Sequence, residues 1–350
     1  MTARRSFMDE VREQPEVLRT LVSSYEGQLA QRLQEAAQLI DSKPTLVIVG
    51  MGSSHFAGEI LVQRLNRTQF KVLNCDASEL VHYQQGIMAG DAVMLAISQS
   101  GESAETCSAA EARPKSMPLI CITNDENSRL ARMGDIVLPL LAGDEEGTSS
   151  KTFVATMALL HLLGDAVAGE EVLSSAEAFQ VAQWLDELID SLGEEVTRLL
   201  QRPGEFDAVV FTGRGPGLVS ALQGALITQE MTQMPAAAFS AGQFRHGPIE
   251  ATGPDLLVVI FAPLGRTTEL LVRLARDCAA FGSPTWLVTD TAVEIAPTEN
   301  LFVTKLPQVS EELSPLLSIL VPELLGAALA RRKGLEPGRL QKISKVTSFE

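Results

Sequence analysis

Residues 45–65 read TLVIVGMGSSHFAGEILVQRL. The first six are apolar and rich in β-branched side chains, as in a short strand buried on both faces. A turn containing Gly50 and Gly52 follows. From residue 55 the apolar side chains recur at helical spacing. The same grammar returns at residues 207–212, DAVVFT, followed by GRGPG and then by LVSALQGALITQEM. Each copy is a strand, a glycine turn and a helix.

The repeat extends outward from there. DAVMLAI (91–97) corresponds to DLLVVIF (255–261), and PLICITND (118–125) to PTWLVTD (284–290), at an offset of about 164 residues throughout. A steady offset across three strands argues for duplication of one βαβ domain, with the second copy diverged. Continuous apolar strands alternating with amphipathic helices imply parallel sheets covered on both faces. The expected fold class is therefore α/β, with two tandem doubly wound parallel-sheet subdomains of flavodoxin-like type. Helices are expected over 1–40, a first domain over 41–165, a helical connector over 166–200, a second domain over 201–335, and a tail over 336–350.

The bulk numbers agree with such a chain. Its 350 residues are 45% hydrophobic, enough for two domains of common size. The net charge of −16 argues against a nucleic-acid or anionic-membrane surface as the main partner. Cys75, Cys107, Cys121 and Cys278 have no CxxC spacing, and no histidines cluster near them, so no metal is expected. Buried thiols and a reducing, cytoplasmic setting follow. No signal-type segment opens the chain, and no window approaches the ~20 apolar residues of a membrane span.

In doubly wound sheets ligands bind beyond the carboxyl ends of the strands, so the turns after the strands carry the chemistry. SQSGESAET (98–106) offers Ser98, Gln99, Ser100 and Ser103 ahead of a helix expected to start near Gly101 or Glu102. Free amides at a helix start, a positive dipole end and hydroxyl donors make an anion nest without a cation. An ordinary N-cap has the same composition. GMGSSH (50–55) lacks the third glycine of a dinucleotide fingerprint, which argues against a nicotinamide cofactor, and no other cofactor is expected. Ser53 and Ser54 suit a polyhydroxylated ligand better. AGDEEGTSSKTF (142–153) places Gly, Thr, Ser149 and Ser150 before another apolar helix, whose His161 reads as core. Glu230 closes an otherwise neutral apolar helix, and His246 precedes Gly-Pro in the loop beyond it. Each alone reads as structural; together they make a candidate acid–base pair.

QPEVLR near the start, GMGSSHFAG, SQSGESAET, GRGPGLVSALQGALITQE, FSAGQFRHGP and the terminal LQKISKVT run through the chain in one order. With these motifs the sequence resembles the SIS (sugar isomerase) family, and within it the isomerase halves of glucosamine-6-phosphate synthases and their stand-alone relatives. The resemblance implies a phosphosugar ligand, with its phosphate on Ser98, Gln99, Ser100 and Ser103 and its sugar near Ser53, Ser54 and either Ser149 or Ser150. It implies that Glu230 moves a proton between C1 and C2. It also implies that His246 opens the sugar ring from a neighbouring subunit, in a homodimer with a shared site, and that Lys345 closes the site. Two departures bear on the reaction. No glutaminase segment precedes the isomerase half, so glutamine is not an expected source of ammonia. Where synthases carry a lysine in the helix before the catalytic Glu, this chain has Ile227.

The expected activity is aldose–ketose isomerisation of an amino-sugar phosphate, as a glucosamine-6-phosphate deaminase. A fructosamine-6-phosphate deglycase uses the same residues. A phosphosugar isomerase without amine chemistry and a non-catalytic phosphosugar-binding sensor are the other readings. The chain has no basic helix-turn-helix segment of the kind fused to such sensors.

Overall fold

The computed structural model describes residues 5–67, 70–201 and 206–345. Helices α1 (Phe7–Glu26) and α2 (Ala30–Asp41) precede strand β1 (Thr45–Gly50). Then come α3 (Gly52–Leu65), β2 (Lys71–Asp76), α4 (Ala77–His82), β3 (Ala92–Ile97), α5 (Ala104–Ala112), β4 (Leu119–Thr123), β5 (Ile136–Pro139) and α6 (Lys151–Ala168). The long helix α7 (Ser175–Leu200) leads to β6 (Ala208–Gly213), α8 (Gly217–Thr232), β7 (Ala236–Ser240), α9 (Ala241–Arg245) and β8 (Leu256–Ala262). The chain continues through α10 (Thr268–Ala280), β9 (Thr285–Asp290), β10 (Leu301–Leu306), α11 (Ser314–Ser318) and α12 (Leu320–Arg332).

Among the described residues the strands form two five-stranded parallel sheets, ordered β2-β1-β3-β4-β5 and β10-β9-β8-β6-β7. Read from the opposite edge, the second order is the same as the first. The register repeats as well: Leu46 lies between Val72 and Val93, and Val209 between Ala236 and Leu257. The duplication read from the spacing is thus a duplication of topology. The fold is α/β with two tandem doubly wound subdomains.

The chain divides into two compact units. The first comprises Glu13–Ala182 and the C-terminal segment from Leu340; the second comprises Gln183–Arg339 and the N-terminal segment up to Arg12. In the first, Val47, Val49, Met94, Ala96 and Leu119 pack against Cys107, Ala109 and Ala110 of α5. In the second, Val258, Ile260 and Leu287 pack against Leu271, Leu274 and Ala275 of α10. Each fully buried aliphatic side chain contributes about 1.5–3 kcal/mol, which is what holds helices on both sheet faces. β3 and β8 are buried along their whole length, and their apolar runs are continuous for that reason.

All four cysteines are buried and unpaired. Burial pushes the thiols of Cys121 and Cys278 up to about 12, which disqualifies them as nucleophiles near neutral pH. The hydropathy expectation needs a correction. Two segments, Lys151–Ala168 and Glu311–Arg332, are long and apolar enough to span a bilayer by composition. They are 78% and 94% buried within the protein, so their apolarity belongs to the core.

Candidate functional site

In the first unit the loop 98–103 leaves β3 and turns back under its own hydrogen bonds. The Ser98 amide donates to the carbonyl of Ile122 (3.0 Å), and the Gly101 amide donates to Ser98 Oγ (3.1 Å). Gly101 has φ +65°, and a Cβ there would stand 2.0 Å from Ser128 Oγ, so only glycine makes this turn. The helix begins at Ala104 with Ser103 as N-cap, later than the expected Gly101 or Glu102. The extra residues stay in the loop, which leaves Gln99, Ser100 and Ser103 half-buried and Ser98 buried. Ser103 Oγ donates to Glu105 (3.2 Å) and accepts from Thr106 Oγ1 (3.2 Å), rather than capping a backbone amide. Glu102, the negative charge among these hydroxyls, is turned toward the next loop. Its carboxylate accepts the Arg129 amide at 2.7 Å.

Ser53 and Ser54 stand in the first turn of α3, half-buried, at the positive end of a 14-residue helix. The amide of Asn74 on β2 fastens that helix by donating to the His55 carbonyl (2.8 Å) and to Glu59 (2.9 Å).

The third loop contains a residue that the sequence reading passed over. Glu145 is fully buried. Its Oε1 accepts the amides of Ser150 (2.9 Å) and Thr152 (3.0 Å), and its Oε2 accepts Thr152 Oγ1 (2.6 Å) and Lys345 Nζ (2.7 Å). Burial pushes this carboxyl up, but the charge of Lys345 and the hydrogen bonds from Lys345 and Thr152 outweigh it, so the group is held below its ordinary value. An ionised carboxylate here caps the start of α6 and fixes the cation of the tail. Ser150 is committed to Glu145, through its amide and its hydroxyl (3.4 Å). Ser149 is half-buried, with Oγ 3.0 Å from Thr152 Oγ1. His161 lies in the core of α6, as expected.

In the second unit Glu230 sits in the last turn of α8, half-buried. A carboxylate at a helix C-terminus faces the negative end of the dipole, so it does not serve helix stability. α8 packs on β7, which runs into α9. Ser240 caps α9 by accepting the Gln243 amide (3.4 Å), and an ion pair from Arg245 to Asp277 (2.8 Å) anchors it. His246 closes α9 and is exposed, followed by Gly247 at φ +131° and Pro248. A second overlooked residue, Arg214, follows β6. Its guanidinium lies beside Gly242, where a Cβ would stand 3.3 Å from Nη2, and its buried Nε has no hydrogen-bond partner.

The second unit's counterpart of loop 98–103 is built differently. After β8, the Arg266 amide donates to Glu311 (3.3 Å), and a Cβ on Gly265 would stand 2.2 Å from that carboxylate carbon. The chain's own carboxylate therefore covers this turn, where the first unit presents hydroxyls. Ile227 is fully buried within α8. Among the described residues no group of three or more His, Cys, Asp or Glu side chains could hold a metal ion.

Known proteins share this architecture over nearly the whole chain. Glutamine–fructose-6-phosphate aminotransferase (isomerizing) of Pyrococcus horikoshii is 28% identical over 351 aligned residues, covering 98% of this chain and 57% of that protein. The chain thus spans less than two thirds of the length of such curated relatives. The C-terminal domain of glucosamine-fructose-6-phosphate aminotransferase from Francisella tularensis superposes with a TM-score of 0.81 at 22% identity, covering 96% of this chain and 99% of that one. Glucosamine-6-phosphate deaminase from Thermotoga maritima superposes with a TM-score of 0.77 at 21% identity, over 97% and 99%. These two structures share the fold. The SIS domain family matches twice, at residues 38–166 and 207–330, once on each sheet. The chain belongs to the SIS domain family, with two copies of that domain in tandem.

Proposed function

We propose that this SIS protein removes the amine from glucosamine 6-phosphate, giving fructose 6-phosphate and ammonia. The observation that carries the reading is the placement of Lys345. The tail brings this cation onto buried Glu145 in the loop that also holds Ser149 and Ser150. A passive sugar-binding module has no need for an ionised Lys–Glu pair there. The relatives named for glucosamine 6-phosphate chemistry support the substrate class.

In this reading Ser98, Gln99, Ser100 and Ser103 hold the phosphate, and Ser53, Ser54 and Ser149 contact the sugar. Ser150 acts through Glu145. His246 shuttles a proton between O1 and O5 to open the ring. Glu230 takes the proton from C2, leaving an enolamine, and returns it to C1. The resulting C2 imine adds water and expels ammonia, so the net change is aldose-to-ketose isomerisation coupled to hydrolysis of the C2 imine. Lys345 balances negative charge developing on oxygen. Remote phosphate binding holds the reacting carbons in place. Ile227, buried and neutral, leaves the helix before Glu230 without the lysine that synthases carry there. A homodimer with a shared site and a cytoplasmic location belong to the same proposal.

Incubation with glucosamine 6-phosphate should release ammonia and fructose 6-phosphate in equal amounts. Glu230→Gln should lower the rate by roughly 10²–10⁴-fold, the usual worth of a positioned general base. Absence of ammonia from the wild-type protein would overturn the reading.

A further inference from the structure

Residues 98–103 and 141–150 come from different strands, yet one short stretch fastens both. Asn124 directly follows β4. Its backbone amide donates to the carbonyl of Gln99 at 2.9 Å. Its side-chain Nδ2 donates to the carbonyl of Gly143 at 2.8 Å, and its Oδ1 accepts the Ala142 amide at 2.9 Å. The orientation of this side chain is not ambiguous: a backbone amide only donates and a carbonyl only accepts. Thr123 reinforces the joint. Its hydroxyl donates to Gln99 O (3.3 Å), and its carbonyl accepts the Leu140 amide (2.9 Å).

The backbone that Asn124 grips would not hold its shape unaided. Leu141 has φ +54°, a left-handed conformation that a branched side chain rarely adopts, and Gly143 follows at φ +66°. Such a conformation persists only where its surroundings over-determine it. Here the Asn124 side chain holds the peptide that follows Leu141, through the Ala142 amide, and the carbonyl of Gly143 beyond it. Three residues past the clamp, Glu145 starts the network of Ser150, Thr152 and Lys345.

We infer that Asn124 is a positioning residue: it sets the loop that carries Glu145, the partner of Lys345, at a fixed distance from the loop that grips phosphate. The inference rests on the proposed reading of those two loops. The hydrogen bonds of the Asn124 side chain go to the 142–143 backbone. Its effect passes through the 142–150 backbone, where a misplacement on the order of 1 Å costs up to about 10²-fold in rate. Aspartate cannot replace it, because a carboxylate would accept the Ala142 amide but face the Gly143 carbonyl with no donor.

The test compares wild type, Asn124→Ala and Asn124→Asp. In Asn124→Ala, kcat for ammonia release should fall by about 10–100-fold. Binding of inorganic phosphate, measured by calorimetry, should stay within about twofold, because the backbone bond from residue 124 to Gln99 survives. Asn124→Asp should lie between the two. In the free protein, amide exchange should accelerate across residues 142–152 in Asn124→Ala and stay unchanged in β3 and β4. A kcat within twofold of wild type would overturn the inference, as would a parallel loss of phosphate binding. Should wild type release no ammonia, the functional reading fails, and the exchange arm decides alone: faster exchange confined to 142–152 upholds the clamp, and unchanged exchange refutes it.

Discussion

Glu145 lies 200 positions from its partner Lys345, and its carboxylate is wholly removed from solvent. Four hydrogen-bond donors besides the lysine converge on it, from the amides and hydroxyls of Ser150 and Thr152. Its folded pKa lies below the ordinary carboxylate value of 4.5, so the carboxylate contributes stability that is fully present above that pH and lost as pH falls through the folded value. Glu145→Gln should therefore cost about 1.5–3 kcal/mol at pH 7, the worth of hydrogen bonds to a charged group. The gap from wild type should shrink on acidification below that ordinary carboxylate value. Thermal denaturation of both proteins at neutral and strongly acidic pH checks this. A gap independent of pH would mean that the charge is not the source. In GDEEG the three acids look alike, and nothing local marks Glu145 as the one that a distant tail will cover.

Helix α6 shows the same problem at the next scale. Residues 151–164 are buried on every side, which produces a run apolar enough to imitate a membrane span. His161 stands in that run with neither ring nitrogen hydrogen-bonded. Burial, with the nearby charge of Arg64, lowers its pKa to about 3. Arg64 is itself paired with Asp165, one turn further along α6. The folded state keeps His161 neutral, while an unfolded histidine takes up a proton near 6.5. The associated stability is whole above that pH and is lost as pH falls toward the folded value, at about 1.4 kcal/mol per pH unit. His161→Leu removes both the proton site and two unsatisfied polar atoms. Its melting temperature should equal or exceed that of wild type at pH 7.5, and should fall less steeply between pH 6.5 and 4.5. Parallel curves for the two proteins would refute this. The expectation of a core histidine came from its place in an apolar helix, whereas its lack of any partner depends on packing that no local pattern encodes.

At the scale of the whole molecule the proposed shared site makes a statistical prediction. Glu230→Gln and His246→Ala proteins, each inactive alone, should regain activity when unfolded together and refolded as a mixture. If each site takes its Glu and His from different subunits of a symmetric dimer, half the dimers are mixed and each has one intact site, so activity should approach roughly a quarter of wild type. No recovery would place both groups in one subunit. What the sequence determined by itself was everything carried by periodicity and local chemistry. The apolar runs marked the inner strands of two parallel sheets, β1, β3 and β4 in one and β6, β8 and β9 in the other, because a strand buried on both faces must be apolar throughout. The constant offset exposed the duplication, and local chemistry made Ser98, Ser100, Glu230 and His246 candidates. Only the tertiary structure decided what occupies the turns. It gave Glu102 to the Arg129 amide, covered the second unit's twin turn with Glu311, joined Lys345 to Glu145, and clamped two loops through Asn124. The physical reason is the same in each case. Secondary structure follows from the pattern of neighbours along the chain, but a polar side chain's role is set by whichever distant donor or acceptor reaches it once water has been excluded.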